Sequence, residues 1–93
     1  KPIYITENGI ADSRDEKRAR FITEHLRWTQ KAIQEGIDVR GYFYWSLLDN
    51  FEWDKGFWPR FGLFEVDYKT LERKKRPSAD VYAEIAKTNS LPE

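Results

Sequence analysis

The order of segments predicts an α/β fold built on a parallel βαβ unit, followed by a small hairpin and a closing helix. Three observations carry it. A short apolar run, Ile3-Tyr4-Ile5, ends abruptly at Glu7-Asn8-Gly9. A long amphipathic stretch at helical spacing follows, and then a second β-prone run from Ile37 to Ser46. Strand, helix and strand in that order require parallel pairing and a right-handed crossover. Two strands alone would both be edges, so the sheet needs further members.

The first strand, Ile3 to Thr6, reads as buried and delivers Glu7 where the chain turns out of the sheet. A carboxylate at the C-terminal end of a strand is a common place for chemistry in α/β folds. Glu-Asn-Gly is equally a turn signature, with Glu7 solvated at its lip. Both readings stand on these residues alone.

Ser13 and Glu16 match a capping box, so a helix is expected from near Arg14. Ala19, Ile22, Leu26, Thr29 and Ile33 recur at spacings of three and four, widened by Phe21, Trp28 and Ala32, with charges on the other face. Gly36 stands at the C-terminal cap, giving about six turns. His25 and Trp28 read as packing residues of this scaffold helix.

Leu47 to Trp58 follows the second strand and interleaves Asp49, Asn50, Glu52 and Asp54 with Phe51, Trp53, Phe57 and Trp58. Flat rings among hydrogen-bonding groups suit a pyranose, with its apolar C–H face and hydroxyl rim, and would also suit a peptide groove or base stacking. A loop packed on its own aromatics is the structural alternative. Phe61 to Tyr68 and Leu71 to Arg76 form a hairpin about Lys69-Thr70, and Arg73-Lys74-Lys75-Arg76 reads as its solvated edge. Pro77 opens the last helix at a position where its missing N–H costs nothing. Ala79, Tyr82, Ala83 and Ala86 line one face of that helix, with Val81 and Ile85 alongside.

Composition narrows the function classes. Sixteen basic and sixteen acidic residues cancel, which disfavours nucleic acid or an anionic membrane as partner. No apolar run approaches the ~20 residues of a spanning helix. There is no cysteine and one histidine, so neither a disulfide framework nor a His-built or thiolate metal centre is expected, and no cofactor motif is found. No signal-peptide pattern is visible, and the expected location is cytoplasmic. Opening on Lys-Pro-Ile almost directly before a buried-type strand, the 93 residues are expected to be a piece of a longer protein.

Three blocks then resemble one family: Ile5-Thr6-Glu7-Asn8-Gly9, Gly41 to Trp53 (Gly-Tyr-Phe-Tyr-Trp-Ser-Leu-Leu-Asp-Asn-Phe-Glu-Trp), and Arg60-Phe61-Gly62-Leu63 with Val66-Asp67-Tyr68. In order and spacing they resemble the C-terminal end of family 1 glycoside hydrolases, the β-glucosidase and β-galactosidase group. Arg76-Pro77-Ser78-Ala79 is similar to the archaeal form. The resemblance implies a (β/α)8 barrel of which residues 1–93 supply strands seven and eight, their helices and a small hairpin, within one domain that is incomplete on its own.

It also implies roles. Glu7 corresponds to the nucleophile of a retaining β-glycosidase, forming a covalent glycosyl-enzyme that water hydrolyses. Trp45 matches the floor beneath the glycone, Glu52 the acceptor for the O4 and O6 hydroxyls, Trp53 the indole donor to O3, and Phe61 a further wall. A carboxylate at Glu52, with no cation at Pro59, would repel a 6-phosphate, so a non-phosphorylated β-glycoside or oligosaccharide is the expected substrate. The family's acid/base glutamate, in a Thr-x-Asn-Glu-Pro block, has no counterpart here. Its Gln, His and Asn residues from earlier strands are missing as well. The expected partner is therefore the rest of the barrel, in the same or a separate chain, and the 93 residues alone are expected to be inactive. A non-catalytic carbohydrate-binding or barrel-completing fragment is the alternative.

Overall fold

The computed structural model describes residues 1–92. Its elements are β1 (Ile3–Asn8), α1 (Arg18–Gln34), β2 (Val39–Tyr44), a short 3-10 turn (Trp53–Lys55), β3 (Phe64–Val66), β4 (Arg73–Lys75) and α2 (Pro77–Thr88). As the segment order predicts, β1 and β2 pair in parallel, with α1 as the crossover between them, while β3 and β4 pair antiparallel. A parallel bridge between Leu48 and Phe64 joins the chain leaving β2 to the hairpin.

The βαβ register is irregular at two points. Ile3 lies opposite Val39 and Tyr4 opposite Gly41, so β2 carries one extra residue there; Ile5 lies opposite Tyr42 and Asn8 opposite Tyr44, so β1 carries the next. The two bulges cancel, and the second spans Thr6 and Glu7. A bulge bends its strand and re-aims side chains, a device common beside active sites.

Helix α1 starts four residues later than the capping-box pattern predicts. Asp15 takes a φ of +57°, a left-handed conformation that no α-helix can pass through. The cap is instead the Asp12 carboxylate, which accepts from the backbone N–H groups of Lys17 (2.7 Å) and Arg18 (3.1 Å). The helix is thus 17 residues, nearer five turns than six. At its other end Gly36 is the cap expected: with φ +98° it donates to Ile33 O while Ile37 donates to Ala32 O, the paired bonds of a Schellman motif.

Where α1 meets α2 and the hairpin, Ile22 is fully buried against Leu63 and Ala79, with Leu26, Tyr44, Phe64, Tyr82 and Ile85 around them. The apolar stripe extends further than this contact, leaving Ile33 and Ile37 exposed. Trp28, expected to pack, is also exposed, with the Lys31 ammonium 5.2 Å from its ring. His25 stacks on Phe21 at 3.9 Å in a solvent-facing pair. On α2, Ser78, Ala79, Tyr82 and Ile85 turn inward, whereas Ala83 and Ala86 are exposed, contrary to the face read from the sequence. The first strand is not buried either: Ile3 and Tyr4 are exposed, and among the described residues β1 has a strand neighbour on one edge only.

One charge assigned to the solvent face of α1 proves central. Arg18 is completely buried. Its guanidinium donates to Asp15 Oδ1 (2.6 Å), to the carbonyls of Asp12 (2.8 Å) and Arg60 (2.6 Å), and to the Tyr44 hydroxyl (3.1 Å). Asp15 in turn accepts from the backbone N–H (2.9 Å) and hydroxyl (2.6 Å) of Ser78 at the start of α2. Burial alone would raise the Asp15 pKa; the bonds from Ser78 and Arg18 outweigh it and hold the carboxyl below its ordinary value. Asp15 therefore ties the first turns of both helices together.

Because Ile22 is fully enclosed at this junction, Ile22→Ala in the complete protein is expected to cost about 2–5 kcal/mol, read as a lowered denaturant midpoint.

Candidate active site

The five residues singled out from the sequence gather on one end of the sheet or on the loop that leaves it. Glu7 lies in the bulged last turn of β1 and is exposed. Trp45 follows β2 directly, and its backbone N–H donates to Asn8 O at 2.9 Å, so the two strands deliver Glu7 and Trp45 to the same C-terminal edge. Gly9 permits this approach. A Cβ on Gly9 would fall 1.7 Å from Trp45 O, so the residue serves a close backbone contact and not merely a turn. The Tyr42 hydroxyl donates to Asn8 Oδ1 at 2.8 Å, a second tie between the strand ends, and burial pushes that phenol pKa upward.

The Trp45–Ser46 peptide is cis. Beyond it the chain pairs with the segment containing Phe61: Ser46 N–H donates to Phe61 O (3.1 Å), Leu63 N–H to Ser46 O (2.8 Å) and Phe64 N–H to Leu47 O (2.9 Å). Phe61 is thereby fixed beside the root of the loop, half-buried.

The loop itself is neither a simple solvent loop nor wholly packed on its own rings. Phe51, Phe57 and Tyr68 form a chain of tilted rings with centroid separations of 5.2 and 4.5 Å, and the Arg60 guanidinium lies 4.7 Å from the Tyr68 ring. Trp53 is 80% exposed and Trp58 72%. Trp53 also takes a φ of +47°, uncommon for a bulky side chain and typical of positions held for a purpose. It is held by the bonds around it: Glu52 N–H to Gly56 O (2.7 Å) and Lys55 N–H to Glu52 O (2.9 Å). Glu52 is half-buried, and its Oε1 accepts from Asn50 Nδ2 at 2.9 Å.

The root of the loop is pinned by Asp49, whose side chain is fully buried. Oδ1 accepts from Gly62 N–H (2.9 Å) and Arg76 Nη1 (2.8 Å); Oδ2 accepts from Arg60 Nη1 (2.9 Å), Arg76 Nη2 (3.2 Å) and Val66 N–H (3.2 Å). Burial would raise the carboxyl pKa, but the guanidinium and N–H donors dominate and lower it. Arg76 also donates to Gly62 O at 2.7 Å and is itself buried. The expectation that Arg73 to Arg76 is a solvated edge thus holds for the first three residues and fails for the fourth, which the Asp49 carboxylate draws inside. The sequence carried one signal for this network: Asp49 directly follows two leucines, an unusual setting for a solvated carboxylate. What it did not carry was the pairing.

No group of three or more potential ligands among the described residues is placed to hold a metal ion, and no helix among them is long and apolar enough to cross a membrane. A groove of about 290 Å³ between α1, β2 and α2, lined by Leu26, Ile33, Val39, Tyr42 and Ile85 among others, includes none of the five candidate residues.

A carboxylate and an indole at the C-terminal edge of parallel strands, with a polar aromatic loop beyond them, is the layout of α/β enzymes that work at that edge. Comparison with known proteins makes the class specific. Residues 1–91 match the glycosyl hydrolase family 1 profile, and this chain belongs to that family. It is 51% identical over 99% of its length to a β-galactosidase of Sulfolobus acidocaldarius, of which it covers 19%, and 45% identical to β-glucosidase A of Thermotoga maritima, covering 22% of it. A solved β-glycosidase from Pyrococcus horikoshii superposes over the whole chain with a TM-score of 0.97 at 59% identity, the chain spanning 22% of that protein. The chain therefore spans about a fifth of the length of these relatives.

The lowered pKa of Asp49 has a consequence of definite sign. Its stabilising effect is complete above the unfolded Asp pKa of about 3.9 and fades as pH falls through the lower folded value. Melting temperature should accordingly drop steeply below about pH 4. Asp49→Asn, which leaves Arg76 without its buried counter-charge, is expected to lower stability at neutral pH by about 3–5 kcal/mol and to flatten that acid slope. Thermal melts across pH 3–7 check both.

Proposed function

We propose that this chain forms the strand-seven and strand-eight portion of a (β/α)8 β-glycosidase, with Glu7 as the nucleophile of a retaining mechanism. The observation that carries the proposal is the placement of Glu7 and Trp45 at the C-terminal ends of two adjacent parallel strands, in a chain belonging to glycosyl hydrolase family 1. On this reading the unpaired edge of β1 and the exposed Ile3, Tyr4 and Phe43 are where the rest of the barrel packs. The chain is a slab 18 Å thick in its narrowest dimension, with too few enclosed apolar residues to close a core around the sheet by itself.

The chemistry follows from the roles. The ionised Glu7 carboxylate attacks the anomeric carbon as the glycosidic bond to the aglycone breaks. The leaving oxygen takes a proton from a second carboxyl group about 5 Å away, contributed by the remainder of the barrel. Water then displaces the sugar from Glu7, with that second group acting as base, and configuration is retained. Trp45 lies under the apolar face of the glycone, Phe61 closes one side, and Glu52 and the Trp53 indole hold its hydroxyls. The negative charge of Glu52 selects a non-phosphorylated sugar. The support from relatives is that they are named β-galactosidases and β-glucosidases, and that a β-glucosidase from Thermotoga maritima is solved in complex with castanospermine.

Glu7→Gln in the complete protein is expected to reduce kcat for an aryl β-glucoside by more than about a thousandfold while the enzyme stays folded. Near-normal turnover in that variant would remove Glu7 from the role. The 93-residue chain by itself, lacking the acid/base group, is expected to give no detectable hydrolysis.

A further inference from the structure

We infer that Asn50 is a positioning residue that presets the Glu52 carboxylate for the sugar; the inference rests on the reading of Glu52 as a glycone-holding group. Two parts of Glu52 are controlled separately. Its backbone is fixed by the Glu52–Gly56 and Lys55–Glu52 bonds at 2.7 and 2.9 Å, which place the residue but leave three side-chain torsions free. Those torsions are restrained by Asn50, whose Nδ2 reaches Glu52 Oε1 at 2.9 Å. Since a carboxylate only accepts, the Asn50 amide must present its nitrogen, and it does so to Phe51 O as well, at 3.2 Å. Ser46 Oγ lies 3.4 Å from Asn50 Oδ1 on the other side of that amide. The backbone of Asn50 directly follows Asp49, the most firmly held residue of the loop, so the amide is mounted on a rigid base.

The choice of an amide is what makes the arrangement useful. A lysine or arginine there would hold Glu52 equally well but neutralise the charge that strengthens its bonds to hydroxyl groups. Asn50 occupies Oε1 with a neutral donor and preserves the full negative charge. A glutamate held in advance also loses less rotamer freedom when the sugar arrives, so more of its interaction appears as binding.

Asn50 on this account acts only through Glu52, and a double-mutant cycle in the complete enzyme tests that dependence. Asn50→Ala is expected to lower kcat/KM for an aryl β-glucoside by about tenfold, the scale of a hydrogen bond to a charged group. In the Glu52→Ala background the same change should cost less than about twofold. An equal loss in both backgrounds would overturn the inference, because Asn50 would then be supporting the loop alone. If Glu52→Ala itself left kcat/KM unchanged, the glycone-holding reading would fail first and the inference with it, so the two failures are told apart by that single variant.

Asn50→Asp keeps the side-chain shape and covers the case in which the alanine variant does not fold. At neutral pH its carboxylate faces Glu52 with no proton to donate. Two carboxylates so close do not both ionise freely, and in acid the pair retains one proton that restores a donor. The kcat/KM of this variant relative to the parent is expected to rise several-fold between about pH 7 and pH 5; a flat ratio would contradict the positioning role.

Discussion

A carboxylate with no exposure to water sits where every later part of the chain converges. Asp49 takes donors from two arginines and two backbone N–H groups, drawn from the Arg60–Gly62 turn, from β3 and from the residue preceding α2. Removing such a charge from water is costly, and only a nearly complete set of partners offsets it. The cluster therefore fixes Arg60, Gly62, Val66 and Arg76 about one point. Gly62 shows how tightly the backbone is drawn in, since a Cβ there would lie 2.3 Å from Asp49 N. The aromatic loop leaves the chain directly after this point, so its root is fixed by the same cluster.

A second buried network does the same for the helices. Arg18 and Asp15 join the α1 start, the α2 start and the Arg60 carbonyl, so that the two charge clusters share the Arg60 segment. In a slab with only a small apolar core, polar ties of this kind decide geometry where packing cannot. They also leave Ile3 and Tyr4 of β1 and Trp28 and Ile33 of α1 exposed.

The parts legible in the sequence are those set by local rules. Alternation and apolar spacing yielded the βαβ order, the hairpin, Pro77 at a helix start and Gly36 at a helix end. Features set by contacts between distant residues were not legible. The helix start moved because Asp15 is bent into a left-handed conformation to reach Ser78, 63 residues away. Arg18 and Arg76 sat within runs of charge that looked solvated, and only the folded chain shows their carboxylates. The bulge across Thr6 and Glu7 leaves no mark on the composition of β1. Of the candidate site, Glu7 at a strand end and the polar aromatic loop were readable from the pattern, and Trp45 and Phe61 only through the family resemblance, whereas the Gly9–Trp45 contact and the Asn50–Glu52 bond appear only in three dimensions.

In the proposed mechanism Glu7 forms a covalent bond to the substrate. The most direct measurement is mass analysis of the complete enzyme, digested after exposure to a 2-deoxy-2-fluoro-β-glucoside with a good leaving group, which slows release of the glycosyl-enzyme. One fluorosugar adduct is expected, on the peptide that contains Glu7 and on that side chain. An adduct on Glu52 or on another carboxylate, or turnover with inversion and no covalent species, would contradict it.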